Sequence, residues 1–406
     1  MRSRGPISYI LLYTALYGAF GVASPFWPKF FETKGLTTQQ IGLMLGAAML
    51  VRLAAGPAVG RLADLSGSLR LVFATCAALA AGSAAALFVA NSFWPLLVVA
   101  LVQAAALAPT TSIADALSVN AAKPRLGQRA FEYGWIRGSG SAAFVLGTLM
   151  IGQLISPTDL APVIWMNVAL LVAAAAATVL LPGVTNPSGQ TATASRAAIR
   201  ELFGMPQFRI VIAVSALVFG SHAMHDAFSV IRWSNAGLDA SAISVLWSEA
   251  VAAEVIVFFV IGPALLDRIG ARGAAALAAV AGIIRWSIAG VTTSVLLLAM
   301  IQPLHGLTFA LLHLACMRIM GNLVPTCLAA TAQSTYAFGS GLTTAALTLL
   351  SGTLYARYGG ASFFPMAALC AVALPFAWFG LVEKRNGFSD AAVLKQEKEK
   401  AVPGQP

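Results

Sequence analysis

The stretch GLTTQQIG, residues 35–42, has a counterpart later in the chain, GLDASAIS at residues 237–244. Both begin with glycine and leucine, and both continue with a residue type that favours helix N-caps, Thr37 in the first and Asp239 in the second. Each lies where a long apolar segment starts. This pattern predicts two helices that begin in equivalent places in two parts of the chain.

A second pair of stretches has nearly the same separation as the first. GRLADLSGSLR at residues 60–70 resembles LLDRIGARG at residues 265–273, with Asp64 and Asp267 in matching positions. Two matches at one separation indicate a chain built from two related halves. This arrangement is typical of carriers whose central cavity opens alternately to each side of a membrane.

The composition places both halves in a lipid bilayer. Of the 406 residues, 59% are hydrophobic and only 10% are charged, which is far from the composition of soluble domains. About twelve segments reach the ~20 apolar residues that a spanning helix needs. The predicted spans are 7–31, 38–60, 70–91, 94–119, 128–152, 161–182, 208–232, 240–266, 272–292, 294–318, 327–355 and 361–382. The predicted fold is an all-α membrane protein, with twelve transmembrane helices in two pseudo-symmetric six-helix bundles.

The polar segments divide this chain into four parts. Residues 1–182 form the predicted N-terminal bundle, and residues 208–385 form the C-terminal bundle. Between them, residues 183–207 are rich in Pro, Gly, Ser and Thr, which predicts a cytoplasmic linker. Residues 386–406 are polar and predict a disordered cytoplasmic tail.

The charge distribution predicts the orientation. The net charge is +10, but the basic residues lie at alternate span ends rather than on one exposed face, so a nucleic-acid partner is not expected. Most of them fall on one side of the predicted bundle. By the positive-inside rule, both termini are cytoplasmic and the protein is expected to be a multi-pass protein of the inner membrane.

The turn between spans two and three resembles the signature loop of the major facilitator superfamily. Gly60, Asp64, Gly67 and Arg70 match that loop. The resemblance implies the superfamily fold and a gate in which the loop carboxylate meets a helix end in the opposite half. Asp64, Arg70 and the repeat-related Asp267 are therefore the predicted gating residues.

A narrower resemblance extends over most of both halves. SPFWPKF, TTSIADAL, EYGWIRGSGSAAF, SHAMHDAFSVIRWSNAGL, LWSEAVAAEVIVFF, GIIRWSIAG and LHGLTFALLHLACMR are similar to the phenylpropionate-permease branch. This similarity implies a proton-coupled carrier of aromatic or related carboxylates, with spans one, four, seven and ten lining the cavity. The sequence departs from the branch at His225 and Asp226, and Glu249 is also unusual.

Charged residues inside the predicted spans need a partner, a wet cavity or a function, because each costs ~2.5–3.5 kcal/mol at a helix centre. Glu254 in span eight and Arg285 in span nine are predicted at similar depths, ~18–20 Å from the cytoplasmic ends. They are therefore expected to lie level with each other. A buried salt bridge without a transport role is the alternative.

The N-terminal half has its own group of charges. Asp115, Arg137 and Arg52 are predicted at similar depths, and an arginine facing the cavity could bind a substrate carboxylate through two hydrogen bonds. Trp27 and Tyr133 offer stacking surfaces for an aromatic ligand. The alternatives are a charge cluster that braces the bundle and, for Trp27, an interfacial aromatic belt shared with Trp233 and Trp247.

The histidines form the most unusual pattern. His222, His225 and Asp226 are spaced i, i+3, i+4, which places them on one helical face, and the resemblance brings that face towards His305 in span ten. Imidazole titrates near neutral pH, so the group could relay a proton to Asp226 or Glu254. Zn²⁺ binding and purely structural hydrogen bonding are the two alternatives.

The predicted function is secondary active transport, namely proton-coupled symport that imports a small organic carboxylate, aromatic ones included, by alternating access. Proton coupling is assigned to Glu254, Asp226, His222, His225 and His305, and substrate binding to Arg137, Arg285, Asp115, Trp27 and Tyr133. The alternatives are proton-coupled efflux of drugs or metabolites, and transport of divalent metals, sugars or nucleosides. An enzyme is not expected. The expected partners are substrate, protons and the lipid bilayer, for a monomer without cofactor or bound metal.

Overall fold

The computed structural model describes residues 5–122, 133–156, 159–181 and 196–381, and these residues are almost entirely helical. The first half contains α1 (Gly5–Ala23), α2 (Trp27–Thr33), α3 (Thr38–Ser66), α4 (Leu69–Ala86), α5 (Phe93–Leu107), α6 (Thr110–Ala122), α7 (Tyr133–Leu154) and α8 (Ala161–Ala177). The second half contains α9 (Arg196–Gly204), α10 (Pro206–Gly220), α11 (Ala223–Asn235), α12 (Ala240–Ile256), α13 (Gly262–Val291), α14 (Val295–Ile301), α15 (Leu304–Gly306), α16 (Leu312–Leu323), α17 (Ala329–Tyr358) and α18 (Phe364–Pro375). Within the described ranges there is no strand.

The helices are long and apolar enough to cross a membrane many times. By length and composition, the described residues contain eight such segments, or nine if the bent pair α1–α2 is one span. Two of these segments have 52 and 55 residues, more than twice the ~20 residues that one crossing requires. Each contains a glycine with positive φ, Gly270 or Gly359, so each divides into two crossings. Twelve crossings would in addition require α1–α2 and α7 each to be a span, so this number stays a prediction.

The predicted helix starts are confirmed at both repeats. The Thr37 side chain accepts a hydrogen bond from the Gln40 backbone N–H at 3.3 Å, and the Gln40 side chain accepts one from the Thr37 N–H at 2.9 Å. In the second half, Asp239 accepts from the Ala242 N–H at 2.7 Å. These side chains satisfy backbone donors that a helix N-terminus leaves unpaired.

The repeated glycines share a backbone conformation that other residues rarely adopt. Gly35 and Gly237 have φ values of 81° and 91°, and Gly67 and Gly270 have values of 65° and 70°. Left-handed backbone costs glycine little because it has no Cβ atom. The two sequence matches are therefore also matches in structure, since they reverse the chain in the same way in each half.

Four predicted spans are broken near their middle or at one end. The breaks lie between α1 and α2, α5 and α6, α10 and α11, and α14 and α15. Pro25, Pro109 and Pro303 explain three of them, because proline removes a backbone donor and clashes with the preceding turn. The fourth break, at Ser221 and His222, has no proline. The broken spans are one, four, seven and ten, those which the family resemblance assigns to the cavity wall.

The two halves pack closely at one end, which we call the closed end; α3 and α12 begin there, and α7 and α17 finish there. Gly42 lies so near Gly352 that a Cβ atom on Gly42 would come within 2.8 Å of the Gly352 backbone. Similarly, a Cβ atom on Gly152 would meet the Ala240 carbonyl oxygen at 2.8 Å. Apolar side chains of both halves join here in one continuous core.

The opposite end, which we call the open end, has fewer contacts between halves. On α3, the positions of Gly56 and Gly60 have no described atom within 4 Å of an added Cβ. The first half has a separate core there, around Tyr9, Leu12 and Phe73.

Three predicted features lie outside the described residues. They are most of the 183–207 linker, apart from α9, the tail 386–406, and the side chains of Asp64 and Tyr133.

Candidate functional site

The centre of the second half contains three predicted site residues in a row, joined by one hydrogen bond and one longer contact. Arg285 Nη1 lies 2.9 Å from His305 Nδ1, and His305 Nε2 lies 3.4 Å from Glu254 Oε2. The His305 ring lies between Arg285 and Glu254, which form no direct ion pair with each other. Arg285 is fully buried, whereas the Glu254 side chain is 31% exposed.

The contact with Arg285 fixes the tautomer of His305. An arginine can only donate hydrogen bonds, so His305 Nδ1 must accept and cannot carry a hydrogen while this contact lasts. The neutral ring then carries its hydrogen on Nε2, which faces Glu254. Arg285 also donates from Nη2 to Gln302 Oε1 at 2.9 Å, and its guanidinium lies over the Trp286 ring at 4.5 Å. These contacts hold the arginine in place.

His222 lies at the break between α10 and α11. Its Nδ1 is 3.0 Å from the Val218 carbonyl oxygen, and its Nε2 is 3.0 Å from Thr308 Oγ1. A carbonyl only accepts, so Nδ1 is the donor, and the ring replaces a helical N–H that the break removes. The His222 and His305 rings are 5.2 Å apart. Both ring nitrogens of His222 therefore have protein partners, and the ring also contacts His305.

His225 and Asp226 point in different directions from α11. The His225 side chain is 5% exposed and packs on Trp247, at 5.0 Å between ring centroids, and on Trp233. Trp233 is buried, so the aromatic-belt interpretation of Trp233 is wrong. The Asp226 side chain is 57% exposed, although its Oδ1 lies 3.1 Å from His225 Nδ1.

The helices that carry Glu254 and His305 change their winding beside these residues. Residues Val257–Ile261 and Leu307–Leu311 are π-helical. The two π-helical segments contact each other. Such insertions widen a helix locally and occur often at functional sites.

Two charged residues of the first half contact tyrosines of α1. Asp115 Oδ1 accepts a hydrogen bond from the Tyr13 hydroxyl at 2.5 Å, while the Arg137 guanidinium lies over the Tyr17 ring at 4.7 Å. Tyr13 and Tyr17 are stacked on each other. Arg137 is also close enough to Glu254 of the second half for their charges to interact.

A cavity of about 210 Å³ lies between the halves. It is lined by aromatic residues of the first and second helices, by polar residues of α3, α5 and α8, and by α11 and α17. The residues that matter for its chemistry are Phe20, Trp27, Phe31, Arg52, Gln103, Asn167, Asp226 and Thr348. Of the predicted substrate and proton residues, Trp27 and Asp226 line this cavity directly. Asp226 is exposed because it faces this space.

The predicted gating residues lie towards the open end. Asp267 accepts a short hydrogen bond from Arg318 Nη2, and Arg318 Nη1 donates to the Leu266 carbonyl at 3.2 Å. This pair joins α13 to α16 within the second half. Arg70 is half-buried in the first turn of α4, and no ion pair to it is found among the described residues.

No group of three or more His, Cys, Asp or Glu side chains in the described ranges has the arrangement of a metal site. The imidazoles of His222 and His305 contact each other and protein partners instead.

A helical bundle with broken helices and ionisable groups around a cavity between two halves is the architecture of a membrane transport protein. The sequence comparison then identifies the family. The chain belongs to the MFS_1 like family, whose model matches residues 7–366. It is therefore a transporter of the major facilitator type, as the sequence predicted, and not an enzyme.

Relatives and structural neighbours agree with this assignment. The chain is 32% identical over 380 residues to a probable 3-phenylpropionic acid transporter of Escherichia coli, covering 89% of this chain and 94% of that protein. It is 24% identical over 365 residues to the maltose permease of Geobacillus stearothermophilus, and the match covers 89% of this chain and 91% of the permease. The solved structure of the nucleoside transporter NupG superposes with a TM-score of 0.79 at 17% identity, and the match covers 96% of this chain and 98% of NupG. The solved structure of a D-xylose-proton symporter superposes with a TM-score of 0.68 at 13% identity, and the match covers 93% of this chain and 98% of the symporter.

The structure adds residues that the sequence did not single out. Gln103 and Asn167 line the cavity and are linked by a hydrogen bond of 3.3 Å, and Gln302 holds Arg285. Gln103 and Gln302 lie in the long broken spans four and ten, where a buried amide is a signal comparable to a buried charge. Nothing in the sequence showed that they would meet Asn167 and Arg285.

Proposed function

We propose that this protein is a proton-coupled symporter that imports a small aromatic carboxylate by alternating access. The observation that carries the proposal is the chain Arg285–His305–Glu254, which ends in a carboxylate that is partly open to the interior. The similarity to a probable 3-phenylpropionic acid transporter supports the substrate class. Proton coupling also accords with the fold shared with a D-xylose-proton symporter.

Glu254 is the proposed proton acceptor. Its carboxylate lies 3.4 Å from His305 Nε2 on one side and interacts with the positive charge of Arg137 of the first half. A proton on Glu254 removes the negative charge that attracts Arg137. The guanidinium is then free to bind a substrate carboxylate, in the bidentate manner that arginine favours. Proton and substrate therefore bind best together, which is the requirement for symport.

The remaining predicted residues have supporting roles in this proposal. His222, His225 and Asp226 are connected to the same charge group, since Asp226 interacts electrostatically with His222, His305 and Arg285. Asp226 faces the cavity and can exchange protons with it. We assign Arg285 to orienting His305, because its guanidinium is buried against protein partners.

Alternating access follows from rocking of residues 1–182 against residues 208–385. The closed end corresponds to the periplasmic side if both termini are cytoplasmic, as the basic residues predict. We propose a monomer in the inner membrane, with the loops of Asp64, Arg70 and Asp267 forming the cytoplasmic gate. In this proposal the Asp267–Arg318 pair stiffens the loop of the second half.

Replacing Glu254 with Gln tests the coupling. In proteoliposomes with labelled 3-phenylpropionate, the variant should lose accumulation driven by a pH gradient while it still exchanges substrate across the membrane. Glu249→Gln is the matched control, because Glu249 lies on the same helix and has no ion-pair partner among the described residues. Accumulation that persists in Glu254→Gln removes Glu254 from the coupling. Accumulation by the unmodified protein that is insensitive to a protonophore contradicts proton symport itself.

A further inference from the structure

Arg52 is a charged residue of the cavity wall. It lies about four turns into α3, ~21 Å from the closed end, and its side chain is exposed to the cavity. None of the ion pairs or hydrogen bonds between described residues involves Arg52. Glu132, an acid that the sequence places at a similar depth, lies outside the described residues. An arginine at this depth of a membrane protein is expected to face water in a cavity or to bind an anionic ligand.

The cavity has different chemistry at its two ends. Towards the closed end, Trp27 and Phe31 are stacked with their ring centroids 6.0 Å apart and an interplanar angle of 23°. Phe20 adds a third aromatic ring to this wall. Arg52 lies on the side towards the open end, at about the depth of Glu254, which is also about four turns from the closed end. A ligand with a ring at one end and an anion at the other matches this polarity.

We propose that Arg52 binds the carboxylate of an aromatic monocarboxylate whose ring packs against Trp27 and Phe31. This inference rests on the proposed function and adds a second cation to the site beside Arg137. Arg52 lines the cavity, so it can receive the carboxylate from the cavity while Arg137 is still attracted to Glu254. Arg52 then determines selectivity for acids, and Arg137 links the bound acid to the proton.

The opposing charge in the cavity belongs to Asp226. A substrate carboxylate and an ionised Asp226 repel each other in a space of about 210 Å³, and the repulsion is strong where water is scarce. Arg52 offsets this repulsion for an acid, but a neutral ligand does not need the arginine. The contrast between an acid and its neutral amide therefore isolates the contribution of Arg52.

The test compares binding of 3-phenylpropionate and 3-phenylpropanamide to purified Arg52→Gln, Arg52→Lys and unmodified protein. A charge-assisted hydrogen-bonded pair is worth enough for about a 10- to 100-fold loss of acid binding in Arg52→Gln. Binding of the amide should stay unchanged, which also shows that the variant is folded. Arg52→Lys should bind the acid with an affinity between those of Arg52→Gln and the unmodified protein. Arg61→Gln, an exposed arginine on the same helix outside the cavity lining, should bind the acid normally.

Chemical rescue separates charge from structure. In a background with the exposed Cys327 replaced by Ser, Arg52→Cys should bind the acid poorly and recover after aminoethylation, which restores a positive charge. A neutral methylthio group should not restore binding. Acid binding that is unchanged in Arg52→Gln, or an equal loss of acid and amide, would overturn the role of Arg52. If the unmodified protein binds no aromatic acid, the proposed substrate class fails instead.

Discussion

His305 and its neighbours show how much chemistry one contact can determine. Because Arg285 donates to Nδ1, the ring can present only Nε2–H to Glu254. The arginine pairs with the imidazole and with the amide oxygen of Gln302, although Arg285 Nε and Gln302 Nε2 are buried without a hydrogen-bond partner among the described residues. Removing one partner from such a buried set costs several kcal/mol, because the others are left unpaired.

At the residue scale, Ser221 is expected to matter more for stability than its size suggests. Its hydroxyl accepts a hydrogen bond of 2.8 Å from the Nε1–H of Trp286, and both side chains are fully buried. Ser221→Ala leaves that N–H unpaired, so the free energy of unfolding should fall by about 1–3 kcal/mol. Thermal unfolding in detergent measures this change.

Ser351→Ala is the matched control for Ser221→Ala. Ser351 is equally buried, but its hydroxyl donates only to the Thr348 carbonyl of its own helix. Its replacement should lower the melting temperature much less. Equal effects of the two substitutions would show that the Trp286 contact adds no stability.

At the scale of helices, glycines decide how closely the two halves approach. The crossing of α3 and α17 depends on Gly42 and Gly352, whose backbones nearly touch. Small residues permit this approach, as is common between membrane helices. The same helix has a glycine without such a neighbour, Gly56. A single helix therefore has one position that resists a side chain and another that should accept it.

Gly42→Val should favour the state in which the present closed end is open. The added side chain would overlap the Gly352 backbone, so the halves cannot close at this end without moving apart. Spin labels at Thr33 and Ala236, which are exposed on the two sides of the closed end, should report longer distances. Gly56→Ala should leave the distance distribution unchanged. Unchanged distances in Gly42→Val would contradict the importance of this crossing.

At the scale of the whole molecule, the closed end is held by polar contacts as well as by glycine packing. Lys29 Nζ donates to Asn235 Oδ1 at 2.7 Å, and Asn235 Nδ2 donates to Glu32 Oε1 at 3.0 Å. Gln153 Nε2 donates to Ser241 Oγ at 2.6 Å. Each of these contacts between residues of different halves must break if the halves rock. Exposed contacts of this kind are weak, which suits a gate that opens in every cycle.

Linking the halves at this gate should stop transport but not binding. A flexible thiol cross-linker between Gln153→Cys and Ser241→Cys holds the closed end shut, since the two side chains already touch. Uptake of 3-phenylpropionate into proteoliposomes should be lost and should return after reduction. Binding to the detergent-solubilised protein should persist, because the ligand can enter from the open end. Transport by the cross-linked protein would rule out rocking at this gate.

The sequence by itself determined the class of fold and many of its local features. Apolar segments of spanning length require helices in a bilayer, and the repeated glycines and caps at Thr37 and Asp239 mark where helices begin. The i, i+3, i+4 spacing likewise placed His222, His225 and Asp226 on one short helix, although that helix begins only after the break at His222.

The tertiary structure alone decided which of these groups meet. The sequence correctly indicated that Glu254 and Arg285 lie deep in the bundle, but it could not show that His305 separates them. It placed Arg52 near Asp115, whereas the structure turns Arg52 towards a cavity that Trp27 and Asp226 also line. The physical reason is that helical periodicity fixes the relative directions of residues within one helix, whereas contacts between helices depend on the rotation and tilt of each helix. Packing around residues such as Gly42 and Gly152 sets those angles, and no pattern within a single span contains them.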